Sequence, residues 1–462
     1  MRKMGIFTVV MAMLFSSLAL VSAQDTVRIT FWSNEFQPER VERQNEIIAA
    51  FQEANPGVEV ELVVADENLM DQLMALNVAA GTPPDVVLHP LQLSAKWYNE
   101  GLLDADFATA VVEALGADTF SQGALDLLAR PDGEGFIAVP SDGWGQMLVY
   151  RSDLYEAAGL EAPDSYQDIM DGAMALHDPD NGFYGFCGAN SASELYTWQV
   201  FEHIALANGA TFVDAEGNIT FNTPEMVEAI QFYVDLMNNY GQPESDWYWL
   251  QTRAEYLAGN CGMTIWSPFI LDEMAGLRDS VLPTCAECEE NPAFIAENTD
   301  FVSAISGFSS DAPAAWGSVN SIGIAPGASP EAQAFAEFWF NETYLDTLAI
   351  AAEGKFPMRQ GTADNPTAFI EGWGNLDVGV DTRAPLSDFY SEEDLNTIIE
   401  GSDGYSRMGY DVGQSVLASA VSAQFFIQDN LVAAINGDLT AEEAAEEIQF
   451  AIEDLQFEIE GG

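Results

Sequence analysis

The sequence predicts an α/β protein built as two domains. Apolar runs of strand period alternate along the chain with amphipathic stretches of helical period. Hydrophobic residues make up 48% of the chain, which favours packed cores over disorder despite the charge. Its 462 residues exceed what one ordinary core holds. Strands alternating with helices imply parallel βαβ units covered by helices on both faces.

The elements follow in order. Val27–Trp32 reads as a strand. Glu39–Ala54 reads as a helix with Val41, Ile48 and Phe51 near helical spacing, stopped by Asn55-Pro56-Gly57. Val58–Val64 alternates as a strand does, and Glu67–Ala80 carries Met70, Leu73, Leu76 and Ala80 along a second helix. Gly81-Thr82-Pro83-Pro84 ends it, and Asp85–Leu88 is a short buried strand. Phe136–Val139 and Met147–Tyr150 are expected strands, the second leading into a helix at Ser152–Ala158. Pro224–Asn239 is an amphipathic helix, and Cys261–Trp266 and Ser321–Ala325 are strands. Ser329-Pro330 caps and opens the next helix. The C-terminal end is helical, with Gly437-Asp438 between two helices and Thr440 capping the last.

Arg2 and Lys3 precede an apolar run, and Val21-Ser22-Ala23 offers small residues for cleavage before Gln24. Residues 1–23 are therefore expected to be a cleavable signal peptide, placing the mature chain in the periplasm or outside the cell. No cysteine precedes Cys187, which excludes a lipid on a processed N-terminal cysteine. No later segment approaches the length of a membrane span, so no stable membrane insertion is expected.

The formal charge is −60, with 14 basic against 74 acidic residues. That argues against nucleic acid or an anionic membrane as partner, since both need basic surface. Cys187, Cys261, Cys285 and Cys288 can pair in three ways outside the cytoplasm. A redox role for Cys285-Ala-Glu-Cys288 is disfavoured, because Glu287, Glu289 and Glu290 would raise a thiolate pKa. Structural disulfides are expected.

No catalytic constellation is legible. His89, His177 and His203 are the only histidines, too few for a zinc protease motif or a His-rich metal cluster. The chain holds no Walker A lysine and no G-x-S-x-G elbow. Gly133-Glu-Gly135 leads into a strand rather than a helix, unlike a dinucleotide loop. No metal, cofactor or catalytic residue is expected. Paired carboxylates are unavoidable at this acidity, so a secreted glycoside hydrolase with two cleft carboxylates stays open as the alternative.

Five segments carry a resemblance. They are Ile29-Thr-Phe-Trp32-Ser-Asn34; Ala80-Gly-Thr-Pro-Pro-Asp85-Val-Val; Ala138-Val-Pro140 with Leu148-Val-Tyr150-Arg-Ser-Asp-Leu-Tyr-Glu-Ala-Ala-Gly159; Ala258-Gly-Asn-Cys-Gly-Met263-Thr-Ile-Trp266-Ser-Pro268-Phe269; and Asn320-Ser-Ile-Gly-Ile324 with Gly354-Lys-Phe-Pro357-Met-Arg359. In this order the chain resembles the extracellular solute-binding proteins of ABC importers, in the group of the maltose/maltodextrin binders.

The resemblance implies a two-lobed, type II periplasmic-binding-protein-like fold, with a ligand cleft between lobes joined by crossing hinge segments. One lobe would take residues 24–141 plus 309–357, the other 142–308 plus 358–462. Crossings are expected near Pro140–Gly145, Ile305–Ala312 and Pro357–Gly361. A monomer is implied that binds a small-molecule carbohydrate and delivers it to ABC transporter permease subunits; a non-sugar solute is the other ligand class.

A sugar site needs planar aromatic faces and side-chain hydrogen-bonding groups. Carried over position by position, the resemblance implies Asn34, Glu35 and Gln37 after the first strand, and His89 and Gln92 after the third. It further implies Asp142 and Trp144 at the first crossing, Glu194 and Tyr196, Trp247 and Trp249, Trp266 and Phe269 at a strand end, Trp316, and Phe425. His89 and Gln92 depart from the aromatic and acidic residues that the maltodextrin binder has there.

Overall fold

The computed structural model describes residues 26–278, 280–341, 343–380 and 382–461; the expected signal peptide lies outside them. The strands are β1 (Val27–Ser33), β2 (Val58–Val64), β3 (Val86–Pro90), β4 (Val139–Gly145), β5 (Met147–Arg151), β6 (Tyr184–Cys187), β7 (Cys261–Trp266), β8 (Thr299–Val302), β9 (Ala315–Ile324), β10 (Phe356–Pro357), β11 (Asp377–Val378), β12 (Ala384–Pro385) and β13 (Tyr405–Ser406). They form two sheets and a small ribbon. The larger runs β10-β4-β9-β3-β1-β2, with β13 added on β9; the smaller runs β6-β7-β5-β8; β11 pairs with β12.

Both sheets are mixed: the expected parallel βαβ units are present, and antiparallel strands extend them. β1 is parallel to β2 and β3, as the βαβ pattern requires. β9 runs antiparallel to both β3 and β4, and β5 antiparallel to β7 and β8. β9 is ten residues long, twice the Ser321–Ala325 segment that its sequence suggests. Gly317, Ser318, Asn320 and Ser321 hide the strand: they are small or polar, and they pair through the backbone with β4 and β3. The strand expected at Phe136–Val139 begins only at Val139.

The alternation along the strands sorts side chains to two faces of the larger sheet. Phe31, Val86 and Leu88 pack with Ile48, Phe51, Phe335 and Trp339 on one face. Trp32 and Val87 pack with Met70, Met74 and Trp97 on the other. The third and largest core surrounds the smaller sheet, taking in Leu148, Phe186, Met263 and the C-terminal helices.

The chain passes from one sheet to the other at Gln146, the single residue between β4 and β5. It returns between β8 and β9. Near these crossings the Tyr405 ring lies so close to Gly317 that a Cβ there would sit 2.1 Å from Tyr405 Cγ. Glycine is required because the ring occupies the volume any side chain would need.

Disulfides join Cys187 to Cys261 across neighbouring strands β6 and β7, and Cys285 to Cys288 within one turn. They close loops of 74 and 3 residues, so their contributions should differ. Replacing Cys187 and Cys261 by serine should cost about 4 kcal/mol in urea denaturation, and replacing Cys285 and Cys288 about 2 kcal/mol. Equal losses would contradict the assignment of the first bond as the long-range staple.

Candidate functional site: the cleft between the sheets

A cleft of about 870 Å³ opens between the two sheets. One wall begins where β1 ends: Asn34, Glu35 and Phe36 follow its last residue directly. Helices Glu67–Ala80 and Leu91–Asn99 add Glu67, Asn68, Gln92 and Lys96. Trp144 on β4 and Ser318 and Asn320 on β9 form the floor. The opposite wall carries Phe269 just after β7, Leu195 and Gln199 from helix Leu195–Ala207, and the small residues Ser419, Ala420 and Ala423 around the end of helix Ser415–Ser422.

Behind the first wall sits a buried amine. Lys355 Nζ lies 2.6 Å from Glu35 Oε1 and 2.9 Å from Asp142 Oδ1. Asp142 also accepts from Asn320 Nδ2 at 3.0 Å, and Asn320 Oδ1 accepts from Asn34 Nδ2 at 3.2 Å. The second Glu35 oxygen takes Arg40 at 2.8 Å. Arg40 lies 3.7 Å from Glu353, which Arg278 meets at 3.3 Å while holding Asp272 at 2.9 Å. A continuous ionic chain thus runs from the cleft wall to the far side of Phe269, whose ring faces Arg40 at 5.6 Å and leaves no room for a side chain at Gly354.

The electrostatics follow from this packing. Burial alone would push the Glu35 carboxyl up, but the charges of Lys355 and Arg40 outweigh it and hold it down at about 2. Burial would likewise lower the Lys355 pKa, and Asp142 and Glu35 keep it above its ordinary value. Farther along, burial pushes Glu273 up to about 7 against the pull of Arg253. Asn34 Oδ1 is sealed within the wall and has no hydrogen-bond partner among the described residues.

Five of the sequence-derived residues line the cleft: Asn34, Glu35, Gln92, Trp144 and Phe269. Asp142 stands directly behind it in the Lys355 network. The structure does not place the others on the lining. His89 is fully buried, its ring 5.2 Å from Trp97 and its Nδ1 within 3.2 Å of the Pro90 carbonyl. Tyr196 is buried and donates to the Ile265 carbonyl at 2.6 Å. Trp316 is buried, donating to Glu202 at 2.7 Å beneath Trp144. Trp266 is half-buried between Tyr196, which meets it edge to face at 4.9 Å, and Trp249, which stacks against it at 5.9 Å, while Trp247 packs onto the same core. Gln37 and Glu194 precede helices without capping them, and Phe425 is exposed beside Gln424, which does reach the cleft. The family resemblance marked these positions, but indole and phenol rings fill cores as readily as they line sites.

Sequence reasoning missed Lys355, Arg40, Arg407, Asn320 and the helix Ser415–Ser422. The one available signal was Lys355 itself, an isolated lysine in a chain with 14 basic residues.

Replacing Lys355 by methionine leaves Glu35 and Asp142 buried without their shared cation. A loss of about 3–5 kcal/mol is expected in chemical denaturation. A second prediction concerns protonation. His89 and His203 are both buried, and desolvation lowers each to about 4. The stability that each neutral ring contributes is complete above the unfolded value of 6.5 and is lost as pH falls from there to about 4. In NMR titration two of the three imidazoles should keep their neutral shifts at pH 5.5; movement of all three would contradict the burial.

The fold has clear relatives. It superposes on maltose-bound MalE3 of T. maritima with a TM-score of 0.68 at 19% identity, covering 93% of this chain and 100% of that one. A mannitol-bound ABC transporter solute-binding protein of Agrobacterium vitis gives 0.59 at 20% identity, covering 94% and 99%. The architecture is therefore the two-lobed type II fold. In sequence, the chain is 31% identical over 260 residues to YcjN of Escherichia coli (strain K12), whose name places it among ABC transporter periplasmic-binding proteins; the match spans 55% of this chain and 60% of that one. It is 27% identical over 210 residues to a mannitol-binding protein of Pseudomonas aeruginosa, spanning 44% and 46%. The match to the family described as bacterial extracellular solute-binding protein runs over residues 39–344, and the chain belongs to that family.

Proposed function

We propose that this protein is the extracytoplasmic substrate-binding component of an ABC importer. It captures a neutral carbohydrate by hinge closure and hands it to membrane permease subunits. The observation that carries this is the cleft itself, where two walls on different sheets converge on one floor and offer both aromatic faces and hydrogen-bonding groups. Trp144, Phe269 and Phe36 present planar surface; Asn34, Gln92, Gln199 and Asn320 present amides. That mixture suits a ligand with C–H faces and a hydroxyl rim.

In this reading the lobes are residues 24–141 plus 309–357 and residues 142–308 plus 358–462, with the hinge at the crossings near Pro140–Gly145, Ile305–Ala312 and Pro357–Gly361. Ligand favours closure because only the closed cleft offers contacts from both walls at once. The relatives' names and ligands, an ABC transporter periplasmic-binding protein, a mannitol binder and a maltose complex, support this reading. A cleavable leader, action outside the cytoplasm, a monomeric state and a role without turnover complete it.

The test is a thermal-shift screen of the mature protein against sugars and alditols, followed by calorimetry and product analysis. Stoichiometric binding without products is expected, together with a smaller radius of gyration in scattering once ligand is bound. Trp144→Ala should weaken the best ligand about tenfold, the loss of one stacking face. Hydrolysis of the bound sugar, or no binding across the panel, would refute the carrier.

A further inference from the structure

Arg407 follows β13 and reaches the cleft floor from beneath. Its guanidinium lies 4.3 Å over the Trp316 ring and 5.9 Å from the Tyr410 ring. Its Nε donates to Glu202 Oε2 at 2.9 Å. The same carboxylate accepts from Trp316 Nε1 at 2.7 Å and from the Met408 amide at 2.9 Å. Glu202 is thus fixed by three donors, and it in turn fixes the plane of the guanidinium. A stacked and tethered arginine has already lost its rotamer freedom, so a further contact costs little additional ordering.

The outer nitrogens, Nη1 and Nη2, have no hydrogen bond to any described residue, and neither is a sealed orphan. Arg407 lines the cleft, so these nitrogens face the space a ligand would fill. Their fork can serve two neighbouring acceptors at once. A carboxylate or a pair of adjacent hydroxyl oxygens fits that geometry, and the charge around it decides between them. Glu202 already balances the guanidinium at 2.9 Å. The other cleft cations are engaged as well: Arg40 with Glu35, and Lys96 with Asp71 and Glu100. Asp66 and Glu67 add negative charge with no cation paired to them among the described residues. A carboxylate would enter a cleft of excess negative charge and find no unbalanced cation.

We infer that Arg407 is a specificity-determining residue of the cleft, presenting the outer nitrogens of a clamped, charge-balanced guanidinium to two adjacent hydroxyl oxygens of an uncharged sugar. This deepens the carbohydrate-binding reading and rests on it. Lysine cannot substitute, because its ammonium neither stacks on Trp316 nor offers a planar fork.

The experiment is calorimetry with matched neutral and carboxylated probes: maltose against maltobionate, D-glucose against D-glucuronate, and D-mannitol against D-mannonate. Wild-type protein should prefer the neutral member of each pair that binds by about tenfold or more. Arg407→Lys, verified as folded by near-UV circular dichroism, should lose about tenfold on the neutral probe. Monodeoxy analogues of that probe provide a second readout. Removing either contacted hydroxyl should weaken the wild type about tenfold and Arg407→Lys much less. Tighter binding of the acids, or wild-type affinity in folded Arg407→Lys, overturns the assignment while leaving a sugar carrier in place. Absence of binding to every probe by the wild type overturns the carrier reading and this inference with it.

Discussion

The cleft depends on one buried ammonium. Lys355 is 1% exposed and touches both Glu35 and Asp142, residues that arrive from different strands. Without it both carboxylates would lose their shared cation in the interior, and burying an uncompensated charge costs more than burying the pair. The pairing fixes more than charge. It holds the segment after β1 against β4, sets Asp142 to receive Asn320, and thereby positions Asn34. The polar wall is a single hydrogen-bonded unit whose geometry follows from where the amine sits.

This arrangement explains how a chain with 14 basic residues uses them. Arg40, Lys96, Arg278, Lys355 and Arg407 all lie in the cleft or in the ionic chain behind it. Acidic side chains can solvate themselves on the surface. Acidic side chains that are buried need partners, and Lys355, Arg40, Arg253, Arg278 and Arg407 supply them to Glu35, Asp142, Glu273, Asp272 and Glu202. The apolar cores perform the complementary task. Phe31 and Trp32, consecutive on β1, enter different cores on opposite faces of the larger sheet, so the strand end carrying Asn34 and Glu35 is held from both sides.

The legible part of the fold was local. Val58–Val64, Glu67–Ala80 and Cys261–Trp266 appear in the structure with the bounds that periodicity and their Gly, Pro and Asp boundaries suggest. β9 was half hidden, because its cleft-facing residues are small and polar, and those traits oppose a strand pattern. The antiparallel directions were hidden entirely, since a period of two is the same in either orientation. In the site, positions adjacent to strand ends were readable: Asn34 and Glu35 after β1, Gln92 after β3, Phe269 after β7. The tryptophans were not. Trp316 and Trp144 pack at a tilt with ring centroids 5.0 Å apart, yet only Trp144 lines the cleft.

By itself, then, the amino-acid order determined which segments become strands and helices, where they stop, and which strand ends are free to carry polar groups. Those properties come from backbone preference and from neighbours three or four residues away. The tertiary structure decided everything that joins distant segments. It paired Lys355 with Glu35 and Asp142, chose Cys187–Cys261 among the possible disulfides, and sank Trp316 beneath Arg407. The physical reason is that an ion pair, a disulfide or a stacked ring depends on a few ångströms of separation, and chains hundreds of residues apart acquire that separation only when the cores pack.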